Sequence, residues 1–390
     1  FHNTYITLMK ITHNHRIVSL YFTIFILVSL NTVYLPVWLN EVINLTTQQI
    51  GLLIGSVGFL KIFSNFLITK NIKTFRSKRL VTVLITFFIF CSFIFIALQK
   101  NIDVTLATFL SFFILLIFAP LLPIIENINT SLNKSFFKSY GKLRISGSIA
   151  FCLGVFLVGF CLDEFGTNSF PKLYIFFSLF FLMSAFLIPN EEERQKLKYK
   201  SNIIDLLKNK KFLLVIFSCG LVLASHAMYY SFSAIYWRNL EFSLFQIGFL
   251  WFWGVFAEII FFLLIDKVKI RNIFFQAIIF VGIISSLRWI MTYFFTNFSL
   301  LVLIQSLHAF TFGLSHYLVI YYVHMNISEN NKLLAISLYH ALSSGTMMTI
   351  LTIFAGFSFN NGSNGIGFLM MAIFCLISTF LVYFRGYILK

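Results

Sequence analysis

The chain has 390 residues, of which 59% are hydrophobic and only 11% charged, and its formal net charge is +16 at pH 7. This composition excludes a soluble globular protein, because too little polar surface is available to cover a globule of this size in water. The 53 Phe residues lie in nearly every apolar run, so they fit lipid-facing surface better than an aromatic binding surface.

Apolar runs long enough to cross a bilayer, about 20 residues each, follow one another along the chain. The first, from about Ile17 to Leu39, lacks a small-residue cleavage site, so we expect a retained helix rather than a signal peptide. Eleven polar breaks separate the runs, near residues 40–48, 70–79, 99–103, 127–142, 163–171, 190–210, 238–244, 267–271, 296–298, 324–332 and 357–364. Twelve spans are therefore predicted.

Positive charge is distributed unevenly over the predicted loops. The two termini and the even-numbered breaks carry 24 of the 29 Lys and Arg residues, whereas the odd-numbered breaks carry three. By the positive-inside rule, the rich side is cytoplasmic and both termini face the cytoplasm. The net charge thus reflects topology and attraction to anionic lipid headgroups, and no nucleic-acid partner is expected.

The five cysteines lie in or at the edge of apolar runs, without CxxC spacing and without a ligand-like spacing to histidine. We therefore expect no disulfide framework and no metal site, and nothing in the sequence indicates a cofactor.

The sequence repeats at a shift of 197 residues, close to half its length. Residues 44–51 (NLTTQQIG) align without a gap with residues 241–248 (EFSLFQIG). Each segment contains a capping box, begun by Thr46 or by Ser243, at the predicted start of span 2 or span 8.

This repeat predicts two six-span bundles, residues 1–190 and 211–390, related by an axis along the membrane normal. Residues 191–210 form the predicted cytoplasmic linker. Within the linker, Asn202 to Leu207 is a short amphipathic piece with Asp205 placed for a first helical turn. Two such bundles would leave a central cavity that opens alternately to either side.

Ionisable side chains inside a membrane are costly, so each is a functional candidate. The predicted spans contain Lys61 in span 2, Glu126 in span 4, Arg144 in span 5, Glu258 in span 8, Arg288 in span 9 and His308 in span 10. Counting about 1.5 Å of rise per residue places Arg288 and His308 at similar height and Glu258 roughly 12 Å from Arg288. The count also puts His316 near the height of Glu258. A link through substrate, water or His308 is therefore as compatible with the sequence as a direct salt bridge.

Several of these residues have a structural alternative. Lys61 could snorkel along its helix, and Arg144 could be an ordinary positive-inside charge. Histidines in spans more often pack between helices than bind ligands, which applies to His226, His316 and His340. The structural alternative is weakest for Glu258 and Arg288, because nothing apolar compensates a charge in mid-span.

Four segments resemble the lactose permease and 3-phenylpropionate transporter branch of the major facilitator superfamily. They are residues 140–148 (YGKLRISGS), 254–259 (GVFAEI), the pair Arg288-Trp289 and residues 305–316 (QSLHAFTFGLSH). Their order and spacing cover nearly the whole chain. The resemblance implies an all-α fold of twelve transmembrane helices in two pseudo-symmetric bundles, in the cytoplasmic (inner) membrane of a bacterium.

The resemblance also implies roles for individual residues. A span 4 Glu and a span 5 Arg line the substrate site in this branch, which points to Glu126 and Arg144. The span 8 Glu, span 9 Arg and span 10 His form the coupling cluster, which points to Glu258, Arg288 and His308, the last two also in contact with substrate. Lys61 and His316 are further candidates.

The chain departs from the lactose permease pattern around His308. Thr311 stands where the pattern has a carboxylate one turn later, and Gln305 stands where it has a Lys one turn earlier. The proton route of the lactose permease therefore does not carry over intact. Glu258 becomes the best remaining proton carrier, and the departures agree better with the phenylpropionate side of the branch.

The leading hypothesis is proton-coupled symport of a small organic solute by alternating access. An aromatic or other carboxylic acid, such as a phenylpropionate-like compound, is the first choice because an intramembrane Arg offers a fixed anion partner. A sugar or a nucleoside is the alternative. The expected partners are the solute, protons and the lipid bilayer, and the chain is expected to act as a monomer.

Two other functional classes are less compatible with the sequence. A membrane-embedded transferase needs a convergent acid-base or nucleophile motif, and the short loops hold mainly Lys, Asn and Ser, so no enzyme is expected. A non-transporting sensor or scaffold would not need the intramembrane charges.

Overall fold

A computed structural model describes residues 2–71, 74–99, 101–132, 136–188, 202–265, 270–359 and 365–385. Within these ranges, side chains are described except at residues 2–14, 62, 65–71, 129–132, 136–144 and 333. Every regular element in the described ranges is a helix.

The described part of the first half contains eight α-helices. They are α1 (His2–Ser29), α2 (Leu35–Glu41), α3 (Thr47–Asn71), α4 (Phe75–Leu98), α5 (Val104–Phe118), α6 (Leu121–Leu132), α7 (Phe136–Phe165) and α8 (Phe170–Ala185). A π-helical segment, Leu30–Tyr34, joins α1 to α2, and a 3-10 turn, Thr167–Ser169, precedes α8.

Among the described residues of the second half there are ten α-helices. They are α9 (Ile203–Lys208), α10 (Lys210–Ala224), α11 (Ala227–Asn239), α12 (Leu244–Leu264), α13 (Phe274–Phe294), α14 (Phe298–Ser306), α15 (Ser315–Asn326), α16 (Glu329–His340), α17 (Met348–Ser358) and α18 (Ile366–Tyr383). A 3-10 turn, Ile270–Ile273, precedes α13. Two π-helical segments, Ala309–Leu314 and Ala341–Met347, join α14 to α15 and α16 to α17.

Ten helices in the described part are long and apolar enough to cross a membrane. They correspond to predicted spans 1, 3, 4, 5 and 7–12. Predicted span 2 corresponds to α3 and predicted span 6 to α8, which has 16 residues. The chain is therefore an all-helical, multi-pass membrane protein, and the count of twelve spans stays a prediction.

Most predicted breaks agree with the helix ends to within a few residues. The break predicted at 127–142 does not, because α6 continues to Leu132 and α7 begins at Phe136. Polar and basic residues at the ends of spans do not stop a helix, since its backbone hydrogen bonds continue outside the apolar layer. The predicted piece in the linker is helix α9, with Asn202 as its cap and Asp205 in its first turn.

The chain divides into two compact units. Unit 1 comprises Phe1–Leu45, Leu60–Lys196 and Ser243–Gly248, and unit 2 comprises Thr46–Phe59, Leu197–Phe242 and Phe249–Lys390. The beginnings of α3 and α12 thus belong to the unit formed mostly by the other half of the sequence. The predicted bundle limits at 190 and 211 stay a prediction.

The sequence repeat extends to hydrogen bonding at the starts of α3 and α12. The Thr46 amide donates to Gln49 Oε1 (2.9 Å), and the Gln49 amide donates back to Thr46 Oγ1 (3.2 Å). The Ser243 amide and Gln246 form the same reciprocal pair, at 2.9 and 3.1 Å. Both predicted capping boxes are therefore confirmed.

Backbone conformation follows the same 197-residue shift. Asn44 (φ 61°) and Glu241 (φ 66°), which are 197 residues apart, are the non-glycine residues with positive φ in the described part. Asn tolerates this left-handed conformation better than Glu does. The loops that enter α3 and α12 are thus built in the same way.

Close helix crossings in the two units are also related by the shift. In unit 2, a Cβ added at Gly356 would lie 2.8 Å from the carbonyl oxygen of Thr47. In unit 1, a Cβ added at Gly159 would lie 2.6 Å from the carbonyl oxygen of Leu244. Both glycines and both carbonyls are 197 residues apart, so each unit uses a glycine to let a capping-box helix approach closely.

Candidate functional site

Arg288 lies in α13 of unit 2 and is fully buried. Its Nη1 donates to Thr311 Oγ1 (2.7 Å), and its Nη2 donates to Gln305 Oε1 (2.7 Å). Nη1 also lies 3.1 Å from His308 Nδ1 and 3.4 Å from His226 Nε2. Every one of these acceptors is a neutral group, and no carboxylate in the described part lies within ion-pair distance of the guanidinium.

His308 connects Arg288 to Glu258. Its Nε2 lies 3.6 Å from Glu258 Oε2, while its Nδ1 faces Arg288. Because a guanidinium can only donate, Nδ1 must be the acceptor, which places the imidazole proton on Nε2, toward the carboxylate. The link through His308 that the sequence left open is therefore present: the side chains bridge the gap between the two backbone positions.

His226 holds the guanidinium from another side. Its Nδ1 lies 3.1 Å from the carbonyl oxygen of Val222 and 3.2 Å from that of Leu223, so Nδ1 carries the proton and Nε2 is free to accept. Nε2 lies 3.2 Å from Thr311 Oγ1. From its sequence context His226 is expected to be a packing histidine, and its contact with Arg288 is not predicted.

Interrupted helices bring these side chains together. The helical run of span 7 breaks between α10 and α11, and His226 follows the break as the N-cap of α11. His308 is the N-cap of the π-helical segment Ala309–Leu314, which contains Thr311. Such π-helical segments are frequent at functional sites because they redirect side chains without ending the helix.

Aromatic rings surround the guanidinium. Its central carbon lies 4.5 Å from the ring centroid of Trp289 and 4.9 Å from that of Tyr229. Tyr229 in turn stacks on Trp251, with centroids 4.2 Å apart. Phe312 stacks on His308 at 5.3 Å. Cation–π contact stabilises the charge, but it does not neutralise it.

Two donors of the cluster lack a partner among the described residues. They are Arg288 Nε and the amide nitrogen of Gln305, and both are buried. A buried donor without an acceptor is costly, so each is expected to meet an acceptor that is not part of the protein. Both groups donate hydrogen bonds, and one of them belongs to a cation. A carboxylate could accept from both and would carry the opposite charge.

The remaining candidates lie elsewhere. His316 stacks on Phe312, with ring centroids 6.2 Å apart, and Phe312 also stacks on His308. Glu126 belongs to unit 1, where it accepts a hydrogen bond from the Tyr21 hydroxyl (3.3 Å). Lys61 is half-buried in α3 of unit 1. The side chain of Arg144 lies outside the described residues.

Three members of the cluster were not predicted as site residues from the sequence. Thr311 and Gln305 were noted only as departures from a pattern, and His226 only as a packing residue. No local pattern marks them, because His226 lies 62 residues from Arg288 in sequence, Thr311 lies 23 and Gln305 lies 17. No group of three or more potential metal ligands occurs in the described part of the chain.

The MFS_1-like family matches residues 15–370, nearly the whole chain. The chain belongs to this family. A probable 3-phenylpropionic acid transporter of Escherichia coli (strain K12) is 29% identical over 368 residues, which covers 93% of this chain and 95% of that relative. The resemblance to the major facilitator superfamily (MFS) is confirmed.

Solved MFS structures share the fold. The nucleoside transporter NupG has a TM-score of 0.79 at 15% identity, covering 97% of this chain and 99% of that one. The POT family transporter PepTSo has a TM-score of 0.69 at 12% identity, covering 96% and 98%. The family match and the Escherichia coli relative, which is a transporter and not an enzyme, show that the chain is a multi-pass membrane transporter of the MFS.

Proposed function

We propose that this MFS transporter carries a small organic anion together with a proton, by alternating access. An aromatic or other carboxylic acid, such as a phenylpropionate-like compound, is the proposed solute. The observation that carries the proposal is Arg288, a buried cation whose partners are all neutral and whose Nε is left without an acceptor. A carboxylate would supply both the missing charge and the missing acceptor.

Charge balance explains the proposed proton coupling. With Glu258 ionised, the connected cluster of Glu258, His308 and Arg288 is neutral, because both imidazoles are held as neutral tautomers. A bound carboxylate would make it negative in a poorly solvated place, and a proton taken up by Glu258 would restore neutrality. Solute and proton would then bind together and leave together.

The surrounding rings support an aromatic solute. The large rings of Tyr229 and Trp289 lie against the guanidinium, and Trp251 stacks on Tyr229. Such surfaces pack well against a phenyl ring whose carboxylate meets Arg288. The probable transport of 3-phenylpropionic acid by the Escherichia coli relative agrees with this chemistry.

A neutral sugar or nucleoside is the alternative solute. Gln305, Thr311 and the two histidines already accept most of the hydrogen bonds of Arg288. In that case Arg288 would serve to balance Glu258 through His308, and the open donors would bind hydroxyl groups.

Several finer statements complete the proposal. We propose twelve spans, both termini in the cytoplasm, bundles at residues 1–190 and 211–390 joined by a linker at 191–210, and a monomer in the inner membrane of a bacterium. Glu126 and Arg144 are proposed to line the substrate site, with Lys61 and His316 as further candidates.

A ligand-stabilisation screen on the purified protein tests the choice of solute. Thermal unfolding would be followed with 3-phenylpropionate, 3-phenylpropanol, a disaccharide and a nucleoside, since a ligand that binds the native state raises its stability. The proposal expects stabilisation by the acid and not by the alcohol, which keeps the ring and lacks the carboxylate. Stabilisation by the sugar or nucleoside alone would favour the alternative.

A further inference from the structure

The short helix α9 exposes large apolar side chains. Ile203, Ile204 and Leu207 are 45%, 55% and 52% exposed, whereas Leu206 is inserted into the core of unit 2. The helix is held in place because the Asn202 amide donates to Asn331 Oδ1 at 2.8 Å. The membrane-spanning run Lys210–Asn239 begins only two residues after α9 ends. The exposed apolar side of α9 therefore lies at the membrane boundary, as an interfacial helix does.

An apolar groove begins beside α9. Leu207, Leu213, Phe217, Leu338 and Leu342 line it, and Lys210 is the one charged residue among the described residues of its wall. From Lys210 to Phe217 the groove follows α10 for about 10 Å, at the rise of an α-helix. This length fits within one leaflet, which is about half of the ~30 Å hydrocarbon core.

Basic residues cluster where the groove begins. Lys208, Lys210 and Lys211 are all exposed, within four residues of one another. An apolar groove with a basic entrance has the same polarity pattern as a phospholipid with an anionic headgroup. Juxtamembrane lysines attract such headgroups by about 1 kcal/mol each, which is roughly a fivefold preference per residue.

We propose that this groove binds one acyl chain of an anionic phospholipid, whose headgroup is held by Lys208, Lys210 and Lys211. A free phosphate would satisfy the lysines and leave the groove empty. A second copy of the chain is disfavoured, because a two-fold interface would bring the two lysine clusters together. The proposed lipid would fasten α9, and with it the linker, to the membrane.

The test is the stabilisation of the purified full-length protein by defined lipids. Phosphatidylglycerol is expected to raise the unfolding temperature more than phosphatidylcholine with identical acyl chains. The triple variant Lys208→Gln, Lys210→Gln, Lys211→Gln should lose this preference, by roughly a hundredfold in apparent affinity if the contributions add. Lys210→Gln alone should lose about fivefold. A control with the same charge change, Arg76→Gln, Arg79→Gln, Arg271→Gln, should keep the preference.

The groove is tested separately from the charges. Leu342→Trp should weaken the binding of phosphatidylglycerol while leaving all lysines in place, and Leu303→Trp, at a position that is 66% exposed, should not. Equal stabilisation by both lipids would overturn the proposal, as would an unchanged preference in the lysine triple variant. Equal stabilisation by glycerol 3-phosphate would indicate a phosphate site instead. Lipid-dependent dimers in native mass spectra would indicate a second copy as the occupant.

Discussion

Arg288 determines the chemistry of the cluster at the residue scale. Removing a guanidinium from water costs several kcal/mol, and the fold offsets this cost with short bonds to Thr311 and Gln305 and with two aromatic faces. Neutral acceptors stabilise the cation without cancelling its charge. The site therefore retains a preference for an anion, which is the basis of the proposed solute class.

Substitutions of Arg288 distinguish an anion clamp from a structural charge. Arg288→Lys keeps the charge and loses the planar fork, so we expect 3-phenylpropionate to bind about tenfold to a hundredfold more weakly, the loss of one charge-assisted hydrogen bond. Arg288→Ala should bind still more weakly, because the carboxylate then has no partner. Isothermal titration with each variant measures both effects.

A double substitution tests the alternative, in which Arg288 only balances the charge of Glu258. If Arg288 only balances Glu258, then Glu258→Gln with Arg288→Gln should restore the binding lost in either single variant. Such a rescue, together with unchanged binding in Arg288→Lys, would contradict the clamp. His324→Gln is a suitable control, because His324 is exposed in the last turn of α15.

At the scale of helices, glycines set the approach of α3 to α17 and of α7 to α12. Gly356→Ala should lower the stability of the protein by about 1–3 kcal/mol, the usual cost of overpacking, because the new Cβ would lie 2.8 Å from the carbonyl oxygen of Thr47. Gly220→Ala is the matched control, since its nearest neighbour would be 3.5 Å away. Thermal unfolding compares the two, and equal stability would show that the helices separate without cost.

The start of α12 depends on a carboxylate from α7. Asp163 accepts hydrogen bonds from the amides of Leu244 and Phe245, both at 2.8 Å. Asp163→Ala should cost about 0.5–2 kcal/mol, as the loss of a helix N-cap does. Glu164→Ala, at the exposed neighbouring residue, should cost much less. Equal unfolding temperatures for the two variants would mean that the Ser243 capping box alone holds the helix end.

The sequence predicted regular elements well and irregular ones poorly. Apolar runs and capping boxes gave the spans and the starts of α3 and α12, because membrane helices depend on local composition and local hydrogen bonds. The break before His226 and the π-helical segment after His308 had no such signal. They depend on helix packing and on the hydrogen-bond acceptors that the Arg288 guanidinium requires, and Arg288 is distant in sequence. The members of the coupling cluster were therefore predicted individually, whereas their contacts were not.

The orientation of the chain in the membrane is a property of the whole molecule. The proposed topology places the 24 Lys and Arg residues of the basic side in the cytoplasm. Reporter fusions after Lys200 and after Lys390 should both report a cytoplasmic location. A fusion within residues 238–244 should report the opposite side of the membrane. A cytoplasmic signal from that loop would contradict the proposed pair of six-span bundles.

Proton uptake on solute binding tests the central claim most directly. When 3-phenylpropionate is added to purified protein in weakly buffered solution, the pH of the medium should rise as the complex takes up a proton. Glu258→Gln should still bind the acid and take up no proton, because its amide keeps the shape of the side chain but cannot be protonated in this range. Binding without proton uptake by the unmodified protein, or unchanged uptake in Glu258→Gln, would contradict the account.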